Sequence, residues 1–180
     1  MPVELVPIVE VDTESLISFL TSDTWPFHAN SALERNTVES WIADGRFESE
    51  EVRTYWIMKT DVGRVGLVRA YDLEDDTAMF DIRILTAHRA QGLGTAAVAR
   101  LVRQMFRMVP EMQRIGAETR DDNVGMTRVL RRCGFAKEAH YRRGWITQDG
   151  EVHDSVGYGL LRDDWLSGTV SPVKWDDEPK

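Results

Sequence analysis

The stretch HRAQGLGTAAVARLVRQMF, residues 88–106, decides how the rest of the chain is read. Arg89 precedes two glycines, Gly92 and Gly94, set one residue apart. From Leu93 onward, Leu93, Ala97, Leu101, Met105 and Met108 recur at three- and four-residue spacing, which predicts a core-facing helix. Just upstream, TAMFDIRIL (77–85) alternates as a strand does. A strand that feeds through glycines into a helix is a place for an anion. The first helical turn leaves its backbone N–H groups unpaired and aimed beyond the helix end. Glycine removes the side chains that hold a phosphate away, and the helix dipole and Arg89 add attraction.

Working outward, VELVPIVEV (3–11) reads as a first strand and DTESLISFLTSD (12–23) as a helix capped by Asp12 or Thr13. WPFHANSA is aromatic and irregular. LERNTVESWIADG (33–45) is a second helix, with Leu33, Val38, Trp41 and Ile42 on one side and Gly45 to stop it. RTYWIMKT (53–60) and RVGLVRAYDL (64–73) flank a DVG turn as a hairpin, and 77–85 adds a third strand to this meander. After the glycine helix come a short strand, RIGAET (114–119), and a helix, DDNVGMTRVLRRCG, with Met126, Val129, Leu130 and Cys133 inward and Gly134 closing it. FAKEAHYRRGWI and VHDSVGYGLL are two further strands. Residues 167–180 read as a loose tail after a single domain spanning 1–166, with docking of Trp175 on the body as the alternative. The order predicts an α+β, three-layer domain rather than a doubly wound one.

Composition narrows the function. The chain has 180 residues and a formal charge of −8, from 22 Lys and Arg against 30 Asp and Glu, which argues against a nucleic-acid binder. Its basic residues nevertheless gather in the C-terminal half: Arg114, Arg120, Arg128, Arg131, Arg132, Lys137, Arg142 and Arg143 either attract an anionic ligand or form a solvated face. No apolar run approaches the roughly 18 residues of a membrane span, and the N-terminus lacks a signal-peptide pattern. A single cysteine, Cys133, excludes an intrachain disulfide framework, so the cytoplasm is the expected address. The four histidines, 28, 88, 140 and 153, lack metal-ligand spacing, and no metal is expected.

The glycine turn admits three readings. Gly-Leu-Gly-Thr-Ala-Ala (92–97) satisfies the dinucleotide fingerprint GxGxxA, with Glu118 ending the next strand. In that fold, however, the glycines follow the first strand almost at once, whereas here TAHRAQ intervenes after an antiparallel meander. An NTPase phosphate loop needs Gly-Lys-Ser/Thr, and no such run exists. The third reading includes Arg89.

Arg-x-x-Gly-x-Gly leading from strand to helix resembles the pyrophosphate loop of the GNAT superfamily of acyl-CoA-dependent N-acyltransferases. Asn123, followed by a helix and then Gly134-Phe135, is similar to the segment closing the other side of the CoA site. WITQDGEVHDSVGYGLLRDDW (145–165) and TWPFH (24–28) are similar to the RimJ/RimL-like branch, which acetylates protein N-termini and other amines. The resemblance runs over residues 3 to 166. It implies a mixed, mostly antiparallel sheet splayed at the CoA site. Ile84, Leu85 and Thr86 would pair with the pantetheine amides of acetyl-CoA, and Arg89, Ala90, Gln91, Gly92, Leu93, Gly94 and Thr95 would hold the diphosphate. Asn123 would touch the pantetheine arm or merely cap its helix. Arg132 would reach the 3′-phosphate or lie on the surface.

The implied chemistry is direct attack of an amine on the thioester, with both substrates bound together. A lysine-like amine is neutral only about one time in a thousand at pH 7, so a base is useful. Asp81 is the first candidate, on the face opposite Phe80 and Ile82; His88 is the second. Trp25, Phe27, His28 and Trp41 lie where this fold places its acceptor wall, with a cation–π cradle or plain packing as alternatives. His153 and Asp154 form a further acid–base cluster, with Asp154 a candidate for acceptor binding. The acidic balance of the chain favours a cationic acceptor, such as a peptide N-terminus, a polyamine or an aminoglycoside. Leu130 stands where many relatives carry a tyrosine proton donor, and Met126 where many RimL-like chains carry a serine. Thiolate protonation then falls to water or another group, and a CoA-binding sensor without turnover stays open as an alternative. Cys133 reads as a structural thiol rather than an acyl-enzyme nucleophile. A homodimer is plausible through exposed sheet edges.

Overall fold

Alternation along the meander builds the centre of the molecule. The computed structural model describes residues 3–9 and 12–175. Strands β1 (Val3–Pro7), β2 (Arg53–Lys59), β3 (Gly63–Tyr71) and β4 (Thr77–Ile84) pair in succession, each antiparallel to the last. β5 (Arg114–Arg120) joins β4 in parallel, and β6 (Ala136–Ile146) and β7 (Val152–Leu161) complete a seven-stranded sheet of order β1-β2-β3-β4-β5-β7-β6. β4–β5 is the one parallel pairing among the described strands. This topology excludes the doubly wound sheet that a dinucleotide reading requires.

The two faces of the sheet carry separate cores. In β4, Ala78, Phe80, Ile82 and Ile84 face helices α3 (Leu93–Met108) and α4 (Val124–Arg132), and pack with Leu93, Ala97, Leu101, Met105 and Leu130. On the opposite face, Trp56 and Leu67 pack beneath α1 (Thr13–Thr21) and α2 (Arg35–Ala43), against Leu16, Ile17, Phe19, Leu20 and Val38. Each fully buried Leu or Ile contributes about 1.5–3 kcal/mol, so the two apolar layers fix which face every strand residue occupies. The result is the expected three-layer α+β sandwich, with Asp81 on the α1–α2 face, opposite Phe80 and Ile82.

Some expectations are corrected. β1 ends at Pro7, although the Ile8 amide still donates to the Thr54 carbonyl at 3.0 Å; residues 10 and 11 of the predicted strand lie outside the described residues. Asp12 does not cap α1 with its side chain. Its carboxylate instead accepts from the Trp56 indole at 3.3 Å, and Arg64 comes within 3.5 Å of it. Met108 ends α3 exposed rather than inward. The chain after β7 is helical: α5 (Arg162–Ser167) lays Trp165 on Phe106, with ring centroids 5.2 Å apart. Trp175 does not dock; it is 58% exposed. No helix is long and apolar enough to cross a membrane among the described residues.

Arg162, at the start of α5, satisfies the end of α3. Its guanidinium donates to the carbonyls of Phe106 (3.0 Å), Val109 (2.7 Å) and Met112 (2.7 Å). Helix C-termini leave such carbonyls without helical partners. Arg162→Ala is expected to lower stability by roughly 2 kcal/mol in urea unfolding; a change below about 0.5 kcal/mol would mean that water replaces the arginine without loss.

Candidate active site

The strand β4 and its parallel neighbour β5 stay together only briefly. Thr77, Ala78 and Met79 pair with Arg114, Ile115 and Gly116, and beyond that point the two strands part. The Leu85 amide donates to Val65 of the meander at 3.1 Å. Peptide groups alternate in direction along a strand, so Ile82 and Ile84 turn theirs the other way, into the gap. Of the three residues expected to meet pantetheine, Leu85 is therefore engaged by the sheet. The Thr86 amide and hydroxyl are engaged by Asp23, at 2.5 and 2.8 Å. The Ile84 amide remains, its carbonyl being taken by Arg89 at 2.8 Å, and Ile82, which the sequence reading missed, joins it. The signal was available: strand alternation makes 82 and 84 equivalent.

The glycine turn opens into the same gap. Ala90 and Gly92 both have left-handed backbones, with φ of 59° and 78°, a conformation natural for glycine and rare for alanine. This pair of reversals brings the chain from the single 3-10 turn at Thr86–His88 into α3. The first turn of that helix closes with the Ala96 amide on the Gly92 carbonyl at 3.2 Å, and no side chain caps the helix start. The amides of Leu93, Gly94 and Thr95 thus have no helical acceptor. Gly94 also permits close packing, since a Cβ there would lie 3.2 Å from the Val129 side chain.

Arg89 lines the cleft and also braces it. Its Nε donates to the Ile84 carbonyl and one terminal nitrogen to the Thr24 carbonyl, each at 2.8 Å. The side chain braces the loop against β4 and the 24–28 segment. Gln91 turns to Ala87 and Lys59, away from the cleft.

A cleft of about 570 Å³ runs from this turn across the gap. One wall is Gly92, Leu93, Gly94 and Thr95 with His88, and the other is Asn123, Gly125, Met126, Arg128, Val129 and Arg132 of α4 and its approach. Asn123 caps α4, its Oδ1 accepting from the Met126 amide at 3.1 Å while its Nδ2 donates to Thr119 at 3.0 Å. Arg128, not singled out from sequence, stands one helical turn before Arg132. Cys133 is half-buried, and burial pushes its thiol up to about 11. It stays protonated near neutrality, so it is not a ready nucleophile.

Trp25, Pro26, Phe27, His28 and Arg83 also line the cleft, beside Arg89 and Ala90. Trp25 is buried, with its indole donating to the Leu20 carbonyl at 2.9 Å. Arg120 holds this segment to β5: it donates to the Pro26 carbonyl at 3.1 Å, lies over the Phe27 ring at 5.3 Å, and is itself held by both oxygens of Asp122. Trp41 packs on Phe47 and takes the Arg46 guanidinium on its ring at 4.1 Å, outside the cleft lining. Asp121, Asp122 and His153 bring ligand atoms within 4.8 Å of one another, but Asp122 is engaged by Arg120.

Two carboxylates need correction. Asp154 does not reach the cleft; it is held by the His140 imidazole and the Arg143 amide, each at 2.7 Å, between β6 and β7. Asp81 sits behind the cleft wall. His28 Nε2 lies 2.8 Å from its Oδ1 and Arg83 Nε 3.7 Å from its Oδ2. Burial alone would raise its pKa, but the adjacent His28, Arg83 and Arg69 outweigh that and hold the carboxyl far below the usual range. The carboxylate is thus engaged by its neighbours and is not part of the cleft lining.

A sheet that parts beside a bare helix N-terminus, with arginines on the facing helix, is the architecture of a protein that holds a long phosphorylated carrier. The acetyltransferase (GNAT) domain family model matches residues 3–136, and the chain belongs to that family. It is an acyl-CoA-dependent acetyltransferase with acetyl-CoA as cosubstrate. No curated protein matches the chain in sequence. Among solved structures, a chimera of the Vibrio cholerae spermidine N-acetyltransferase SpeG and hSSAT is similar at a TM-score of 0.78 and 16% identity, covering 92% of this chain and 99% of that one. The Vibrio cholerae spermidine N-acetyltransferase in complex with CoA and spermine is similar at 0.75 and 16%, covering 91% and 98%. A probable acetyltransferase is similar at 0.69 and 21%, covering 91% and 93%. At these identities the likeness is one of fold.

The depressed Asp81 pKa has a consequence for stability. Its contribution is fully present above the unfolded-state value of about 3.9 and is lost as pH falls from there toward the folded value. Asp81→Asn is therefore expected to be less stable than wild type by roughly 1–3 kcal/mol at pH 7, with the gap narrowing below about pH 4. Urea unfolding at pH 7, 4 and 3 checks this; a gap that widens in acid would contradict the pairing.

Proposed function

We propose that this chain transfers an acetyl group from acetyl-CoA to a primary amine held with it in one ternary complex. The observation that carries this reading is the continuity of the cleft, from the unpaired amides of Leu93, Gly94 and Thr95 to His28 and Arg83. The diphosphate rests on those amides, and the pantetheine lies along Ile82 and Ile84. Arg128 and Arg132 are within reach of the 3′-phosphate side. Arg89 lines the cleft as well, and its bonds to Ile84 and Thr24 brace the loop there. Asn123 shapes the wall as a helix cap.

In the reaction, the amine nitrogen attacks the thioester carbonyl carbon. The C–N bond forms as the C–S bond breaks, the nitrogen loses its proton to a base, and CoA leaves as a thiolate. His28 and His88 are the imidazoles lining the cleft; His28 has Nε2 on Asp81 and Nδ1 buried, so His88 is the imidazole suited to proton exchange near neutrality. Leu130 is fully buried and Met126 has no proton to give, so water protonates the thiolate. Placement in the RimJ/RimL-like branch rests on the segment 145–165, which forms the end of β6, β7 and the start of α5. The reading extends to one cytoplasmic catalytic domain over residues 1–166 with a tail from 167, and to self-association. The edge strands β1 and β6 support the latter, and a similar spermidine N-acetyltransferase is a dodecamer.

Gly92→Glu tests the carrier site. A side chain there meets no protein atom within 4 Å, so it projects into open space, but it brings charge to the diphosphate and strains a left-handed backbone. CoA affinity by calorimetry is expected to fall at least about a hundredfold. Affinity within about threefold of wild type, in a folded variant, would place the diphosphate elsewhere.

A further inference from the structure

The acceptor end of the cleft has an unusual charge balance. Arg83 is only 7% exposed, lines the cleft, and makes no hydrogen bond to any described residue. Its NH1 is buried without a partner, and its Nε stands 3.7 Å from Asp81, beyond hydrogen-bond range. Arg69, directly across from Asp81 in the β3–β4 register, has a buried Nε that is also unpartnered. Arg69 and Arg46 are both close enough to disfavour the Arg83 charge, which burial already disfavours and Asp81 supports. Asp81, itself shared with His28, is thus the one carboxylate set against the charges of Arg83, Arg69 and Arg46. Asp72 and Glu118 lie further along, near Tyr71, and the Glu118 carboxylate takes the Ser155 hydroxyl. The cleft lining contains no Asp or Glu. A buried guanidinium is costly unless paired and hydrogen-bonded, and its planar fork matches a carboxylate.

We propose that the acceptor carries its own carboxylate close to the amine, as a free α-amino acid does, and that Arg83 binds that carboxylate. The inference rests on the acetyltransferase reading and refines its acceptor. His28 and Arg83 approach the two oxygens of the same Asp81 carboxylate, so they stand side by side. An α-amino acid, whose amine and carboxylate share one carbon, spans that pair with its carboxylate at Arg83 and its amine toward His28. Asp81 is a positioning residue that orients both. A polycation gains nothing here, because no anionic group lines the cleft to receive it. The acidic sum of the chain therefore points away from the true acceptor, and so do the spermidine substrates of proteins with this fold.

Thiol release from acetyl-CoA tests this with wild-type protein and matched pairs: L-alanine, L-phenylalanine and L-glutamate, each as free acid and as C-terminal amide, with spermidine alongside. The acids are expected to exceed their amides at least about tenfold in kcat/KM, and to exceed spermidine. Arg83→Gln is expected to raise KM for the acids about tenfold or more and to level acid against amide, with CoA affinity by calorimetry unchanged. Arg83→Lys, which keeps the charge, is expected to retain part of the preference. Amides equal to acids, spermidine preferred, or CoA bound with none of the acids acetylated would each overturn the inference. If wild type neither binds CoA nor releases thiol with any amine, the acetyltransferase reading itself fails.

Discussion

Everything in this molecule depends on the parting of β4 from β5. Strands held by a full ladder expose no peptide groups between them, so a sheet offers an extended ligand nothing until two neighbours separate. Here the ladder is limited to Thr77–Met79 against Arg114–Gly116, and the chain wedges it open from both sides. Phe80, Ile82 and Ile84 pull one strand edge into the α3–α4 core. The 24–28 segment, clamped by Arg120 to β5 and by Arg89 to β4, covers the opposite face. The unpaired amides at the start of α3 then lie at the mouth of the gap. Fold and site are one construction: the packing that buries α3 also presents its bare end.

Electrostatics divides the molecule differently from its total charge. The chain is acidic overall, but acids and bases are sorted. Arg128 and Arg132 line one part of the cleft and Arg83 another, while many carboxylates are engaged in local pairs elsewhere, as Asp122 is with Arg120 and Glu138 with Arg114. A cleft with low-dielectric walls of one sign concentrates an oppositely charged ligand. Net charge describes how the protein meets other macromolecules, whereas lining residues decide what it binds.

Much of this was legible in the sequence, for physical reasons that also mark where legibility stopped. Helical spacing from Leu93 to Met105 and the glycines at 92 and 94 are local properties, and they located α3 and its open end. Strand alternation correctly put Asp81 opposite Phe80. Long-range partners left no such trace. Nothing near Asp12 announces the Trp56 indole, 44 residues away, that draws its carboxylate from the helix cap. Nothing near Arg89 shows that Thr24 and Ile84 take up its guanidinium. Asp81 looked like a base from its place in the strand leading to the thioester; its neighbours in space, His28, Arg69 and Arg83, hold the carboxyl below the usual range. The buried, unpartnered nitrogens of Arg69 and Arg83 come together only once β3 and β4 are in register.

The most direct measurement is a crystal structure of the complex with acetyl-CoA. The diphosphate oxygens are expected on the amides of Leu93, Gly94 and Thr95, with pantetheine beside Ile82 and Ile84 and the thioester facing His28. A second groove, about 580 Å³ and lined by Leu5, Arg100, Arg103 and Arg107, is basic enough to take the same anion. Acetyl-CoA seated there, with the gap between β4 and β5 left to solvent, would contradict the account.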